Sequence, residues 1–181
     1  EYNLLPIKNN GFDDQNKIYE SFNSSNKNNL DNSDNIDRLE VCLRTCINDR
    51  RAKSKRSELT NVSLEEHLLK CIKSLFISIN EASKQDLDIS LTVFDDRSNA
   101  DTLEKITQLC KEVKCNWQIV TTDRTGQGES LYQHFAYAKD KNALFYFCED
   151  DYLHETAAIQ EMMGFYKNIY KQTSEHILIH P

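Results

Sequence analysis

From residue 37 onward, short apolar runs alternate with segments of helical period, and this alternation is what most constrains the fold. Leu39-Glu40-Val41-Cys42-Leu43 alternates as a first strand that ends near Thr45. Ser63 with Glu66 three residues on reads as a capping box. Behind it, Leu68, Ile72, Leu75, Phe76 and Ile79 recur at helical spacing. A second strand spans residues 89–94, and Leu103, Ile106, Leu109 and Val113 mark the next helix. Residues 117–121 give a third strand, and Leu131, Phe135 and Ala138 a third helix. Residues 143–148 form a fourth strand, Ala158, Met162, Phe165 and Ile169 a fourth helix, and residues 177–179 a fifth strand. Strands alternating with helices imply an α/β fold with a mostly parallel sheet, joined by crossovers and covered by helices on both faces.

In such a sheet, ligands bind beyond the carboxyl ends of the strands. Thr45, Asp95, Asp96, the loop 121–123 and the acidic triplet Glu149-Asp150-Asp151 all lie just past a strand end. They should share one rim. The triplet is the strongest signal. Adjacent carboxylates repel, so a folded chain keeps them where something offsets the charge. A hard divalent cation such as Mn²⁺ or Mg²⁺ takes carboxylate and phosphate oxygens and would do so. The plainer reading is a solvated acidic turn opening the next helix. Asp95 and Asp96 could accept from a uracil imide or ribose hydroxyls, or Asp96 or Ser98 could cap the following helix. The loop 122–129 carries two of the four glycines but neither a Walker nor a GxGxxG pattern. Arg124 in it could steady a diphosphate or pair with Asp123 or Glu129. His154, three residues past Asp151, could ligate a metal, touch substrate or pair locally. The remaining histidines, His134 among them, read as structural.

Residues 1–36 are rich in Asn, Asp, Ser and Lys, with sparse apolar residues in no period. They read as a flexible arm or linker ahead of a domain over 37–181. The net charge of −7 gives no basic footprint, which argues against a nucleic-acid partner. The basic stretch 50–56 could draw in an anion, though a solvated charge run is commoner. No apolar run is long enough to span a bilayer. The six cysteines form no CxxC or zinc-ligand spacing and read as reduced thiols of a cytoplasmic protein.

Taken in order, a first strand ending in Thr45, then FDDRSNADTLEKI, TDRTGQGESL and CEDDYLH resemble the nucleotide-binding half of family-2-type glycosyltransferases with the Rossmann-like GT-A fold. The resemblance covers residues 38–181. It implies transfer of a sugar from a nucleotide-diphospho-sugar, UDP-linked, to a hydroxyl acceptor (glycan, lipid or protein) with Mn²⁺ or Mg²⁺. By that resemblance Thr45, Asp95, Asp96, Asp123, Arg124, Glu149 and Asp150 contact the nucleotide. Asp151 or Asp150 holds the metal as the DxD-type motif. The first-strand loop is longer and more basic than the family's, and the triplet begins with Glu. No residue matches the family's general base. The resemblance puts that base beyond Pro181, in a domain truncated here on its C-terminal side. Two alternatives stay open: a nucleotidyltransferase of similar fold, and a non-catalytic module that binds nucleotide sugars or recruits a partner.

Overall fold

A computed structural model describes residues 36–48, 62–122 and 127–179. Strand β1 spans Arg38–Thr45 and helix α1 Leu64–Ala82. Then come β2 Asp88–Asp95, α2 Ala100–Cys110, β3 Asn116–Thr121, α3 Gln127–Ala138, β4 Leu144–Glu149 and α4 Ala158–Thr173. The four strands form one all-parallel sheet in the order β3-β2-β1-β4. The expectation of an α/β parallel sheet is met.

The register sorts side chains onto two unlike faces. Leu39, Val41 and Leu43 of β1 lie beside Ile89, Leu91 and Val93 of β2 and beside Leu144, Tyr146 and Cys148 of β4. This apolar face packs against α1, α2 and α4 through residues such as Leu68, Ile72, Ile106, Ile159 and Met163. Each large aliphatic side chain taken from water there stabilises the fold by about 1.5–3 kcal/mol. Helix α1 does most of this. Its Leu68, Ile72, Leu75, Phe76 and Ile79 are all buried, and Ser63 Oγ accepts from the Glu66 amide at 3.1 Å as the expected cap.

The opposite face mixes polar side chains with Phe94, Phe145 and Phe147 and is covered by α3. A directed hydrogen-bond chain crosses it. Gln118 Nε2 donates to Thr92 Oγ1 at 3.1 Å, Thr92 Oγ1 to the Tyr137 hydroxyl at 2.9 Å, and that hydroxyl to Glu40 Oε2 at 3.1 Å. Arg38 and Lys141 flank the buried Glu40 carboxylate at 2.7 and 3.7 Å. The pairing meets the rule that buried charge must be compensated.

Three expectations need correction. Residues 175–179 do not form a fifth strand; they follow Ser174, whose left-handed conformation (φ 56°) ends α4, and Leu178 is almost fully exposed. A β-branched run becomes a strand only when a partner offers a ladder. Helix α4 buries Ile159, Met163 and Tyr166 rather than the stripe through Ala158 and Phe165. The two stripes are neighbours one residue apart, and the sheet took the second. Helix α3 turns Leu131 and Phe135 outward and buries Ser130 and His134, the latter against Phe94 and Phe147. The basic stretch 50–56 and residues 1–35 lie outside the described residues.

Candidate active site

The strand order places the switch point of the sheet between β1 and β4, since β2 and β3 extend to one side of β1 and β4 to the other. In parallel sheets, ligands bind beyond the strand ends at such a point. The loops at these strand ends are tied to each other. Asp95, the last residue of β2, is buried with both oxygens used: Oδ1 accepts from Thr45 Oγ1 at 2.8 Å and Oδ2 from the Ser98 amide at 3.0 Å. Ser98 Oγ accepts from the Ile47 amide at 2.9 Å. Ser98 therefore ties β1 to β2 and does not cap α2, whose N-cap Asn99 makes no side-chain cap bond. The Asp96 amide donates to the Thr45 carbonyl at 2.8 Å, and the Thr122 amide to the Asp95 carbonyl at 2.9 Å.

On the β4 side, Asp150 Oδ2 accepts from the Cys46 amide at 3.0 Å. That bond spans the switch point. Arg44, on the polar face at the end of β1, lies between two of the acidic strand ends. Its Nη1 is 3.3 Å from Glu149 Oε1, and its Nη2 is 4.0 Å from Asp96 Oδ2. Arg97 Nε reaches Asp96 Oδ1 at 3.0 Å from a backbone with φ 59°, a left-handed position that non-glycine residues seldom occupy. The structure thus brings together Thr45, Asp95, Asp96, Glu149 and Asp150. Asp151 is half-buried at the next position, in the turn after β4. Asp123 and Arg124 lie outside the described residues. So does Pro181, the residue past which the general base is expected.

Two features escaped the reading of the sequence. Arg44 is one; it supplies part of the positive charge that the acidic strand ends require. The other is a set of buried polar atoms with no hydrogen-bond partner: Arg44 Nε, Thr122 Oγ1, Ser130 Oγ and both ring nitrogens of His134. His134 packs edge-on to Phe94 and stacked with Phe147, with centroids 4.4 and 5.7 Å away. Burial and the nearby Arg44 charge push its pKa down to about 4. The imidazole is therefore neutral at physiological pH. His154 pairs locally: Nε2 with the Tyr146 hydroxyl at 2.9 Å, and its amide donates to Ser74 Oγ at 2.9 Å.

The glycosyl transferase family 2 pattern matches residues 60–173, more than half of the chain. The chain belongs to glycosyl transferase family 2. It is a family-2-like nucleotide-diphospho-sugar transferase, and its parallel sheet is consistent with the GT-A fold. No curated protein matches it. Membership in this family makes the chain a glycosyltransferase, with a nucleotide sugar as donor and a separate acceptor. Among the described residues, no helix is long and apolar enough to cross a membrane, and no three His, Cys, Asp or Glu side chains converge to hold a metal ion.

Proposed function

We infer that this family 2 glycosyltransferase takes a UDP-linked sugar, with Mn²⁺ or Mg²⁺, and passes the sugar to a hydroxyl acceptor. The observation that carries the reading is the gathering of acidic strand ends at the β1/β4 switch point: Asp96 and Glu149 flank Arg44, and Asp150 accepts from the Cys46 amide. Thr45 and Asp95 hold the loop after β2 in place. Asp96 meets the base or ribose when the half-exposed Arg97 side chain moves aside. Glu149 and Asp150 face the ribose, and Asp123 with Arg124 flank the uridine. A general base takes the proton of the acceptor hydroxyl.

Asp151 and Asp150 are adjacent carboxylates at a strand end. Such oxygen donors suit a hard cation held by one or two protein carboxylates and completed by phosphate oxygens. When bound, that cation would offset charge growing on the departing diphosphate. The protein's own part is positional. It would fix the nucleotide so that the bond from the anomeric carbon to the diphosphate oxygen breaks, the diphosphate leaving with the electron pair, while the acceptor oxygen bonds to that carbon and gives its proton to a base.

The test is calorimetry of UDP with Mn²⁺. Asp151→Asn keeps the shape and removes the charge, and it should weaken UDP binding in Mn²⁺ at least about tenfold while leaving metal-free UDP binding unchanged. Equal affinity of the variant and the wild type in Mn²⁺ would overturn the metal assignment. Tight UDP binding with no hydrolysis or transfer from any UDP-sugar would instead indicate a donor-binding module.

A further inference from the structure

The turn that carries Asp151 is held from both sides. Before it, Asp150 Oδ2 accepts from the Cys46 amide, which fixes the turn to the end of β1. After it, His154 makes three hydrogen bonds. Its amide donates to Ser74 Oγ of α1 at 2.9 Å, its Nδ1 lies 3.2 Å from the Tyr152 carbonyl oxygen, and its Nε2 lies 2.9 Å from the Tyr146 hydroxyl of β4. Asp151 stands between these anchors. Helix α1 runs close by: burial, and then the charges of Asp151 and Asp150, raise the pKa of the Cys71 thiol, one turn before Ser74.

The direction of each bond follows from the chemistry. A carbonyl oxygen only accepts, so Nδ1 of His154 carries a proton. Burial lowers the His154 pKa, so the imidazole is neutral at physiological pH and has a single N–H. Nε2 is then an acceptor, and the Tyr146 hydroxyl donates to it. Ser74 Oγ donates to the Cys71 carbonyl at 2.7 Å and accepts from the His154 amide. Helix α4 begins only at Ala158, and its N-cap Ala157 makes no side-chain cap bond. The bonds of the His154 ring therefore serve the turn and not a helix cap. What they fix is the backbone of Tyr152, the residue next to Asp151. A carboxylate ligates a cation well only when it is held in place, and removing the group behind a ligand costs roughly ten- to a hundredfold in metal affinity.

We propose that Tyr146 and His154 are positioning residues for the metal carboxylate: the relay from the Tyr146 hydroxyl through the His154 ring to the Tyr152 carbonyl sets the direction of Asp151. This role rests on the metal reading of Asp151 above.

The experiment measures UDP affinity of the whole chain by calorimetry, with and without Mn²⁺. Tyr146→Phe deletes a single oxygen and keeps the packing of the ring. It should weaken UDP binding in Mn²⁺ about tenfold and leave metal-free UDP binding unchanged. In an Asp151→Asn background the same change should add nothing, because its effect passes through Asp151. His154→Ala should lose as much as Tyr146→Phe. His154→Asn, whose amide can still donate to the Tyr152 carbonyl, should lose less. Without any ligand, the ¹⁵N shifts of the His154 ring should report the Nδ1–H tautomer. Unchanged affinity in Mn²⁺, equal losses with and without metal, a full further loss in the Asp151→Asn background, or the Nε2–H tautomer would each overturn the proposal. A wild-type chain whose UDP affinity ignores Mn²⁺, with the Nδ1–H tautomer in place, would overturn the metal reading and the positioning role with it.

Discussion

At the scale of single residues, the rim of the sheet is governed by which carboxylates are already satisfied. Asp95 spends both oxygens inside the protein, while Asp96 and Glu149 share one guanidinium. The sequence showed the carboxylates but not Arg44's part. Alternation along β1 places residue 44 on the polar face and says nothing about which distant acids arrive beside it. His134 was equally opaque. Its neighbours Phe94 and Phe147 come from other strands, and only their closing around it makes it buried and neutral. That burial has a measurable sign. The folded pKa of about 4 lies below the ordinary value of 6.5, so the unfolded chain binds the proton more readily. The native state is fully favoured above pH 6.5 and loses stability as pH falls from 6.5 toward 4, by about 3 kcal/mol across the window. His134→Phe removes this group. Urea denaturation at a series of pH values should give a shallower acid decline for the variant, with the share due to His154 retained. An identical slope would show that His134 takes up protons in the folded state.

Among the elements, α1 was the most legible, because its apolar stripe, cap and length agree. It also does something its stripe does not announce. Ser74 and Ser78, one turn apart, accept from the amides of His154 and Ile159 at 2.9 and 3.0 Å. They satisfy donors at the loop after the acidic triplet and at the start of α4, where helix N–H groups lack intrahelical acceptors. Ser78 is fully buried. Ser78→Ala should therefore cost about 1–3 kcal/mol by leaving the Ile159 amide without a partner. The urea midpoint of the variant would measure this, and an unchanged midpoint would mean that water replaces the serine. Helices α3 and α4 were legible as helices but not in orientation. Each carries two adjacent stripes, and periodicity alone does not rank them. On α3, His134 turns inward against Phe94 and Phe147 and Tyr137 onto Thr92 and Glu40, and on α4 the apolar face drew Ile159, Met163 and Tyr166 inward.

For the whole molecule, the strand order sets the switch point at which nucleotide binding is proposed, and that proposal also says how ligand should act on stability. A nucleotide held only by the assembled strand ends binds the native state alone. At a hundred times its dissociation constant it should add about 2.7 kcal/mol. UDP with Mn²⁺ should therefore raise the melting temperature measured by calorimetry, and a chelator should reverse most of the rise. A rise that survives chelation would place the dominant contacts on the base and ribose side, at Asp96 rather than Asp151.

Local pattern alone determined that strands alternate with helices, that the sheet is parallel, and that Thr45, Asp95, Asp96 and Glu149 to Asp151 stand at strand ends. Those properties depend on residues near each other in the chain, through the periods of two and 3.6 that backbone geometry imposes. Tertiary structure alone decided that β4 lies beside β1, that Arg44 bridges Asp96 and Glu149, that residues 177–179 find no ladder, and which stripes of α3 and α4 turn inward. Each of those outcomes is a choice among partners far apart in sequence, made by the burial and pairing available once the sheet has assembled.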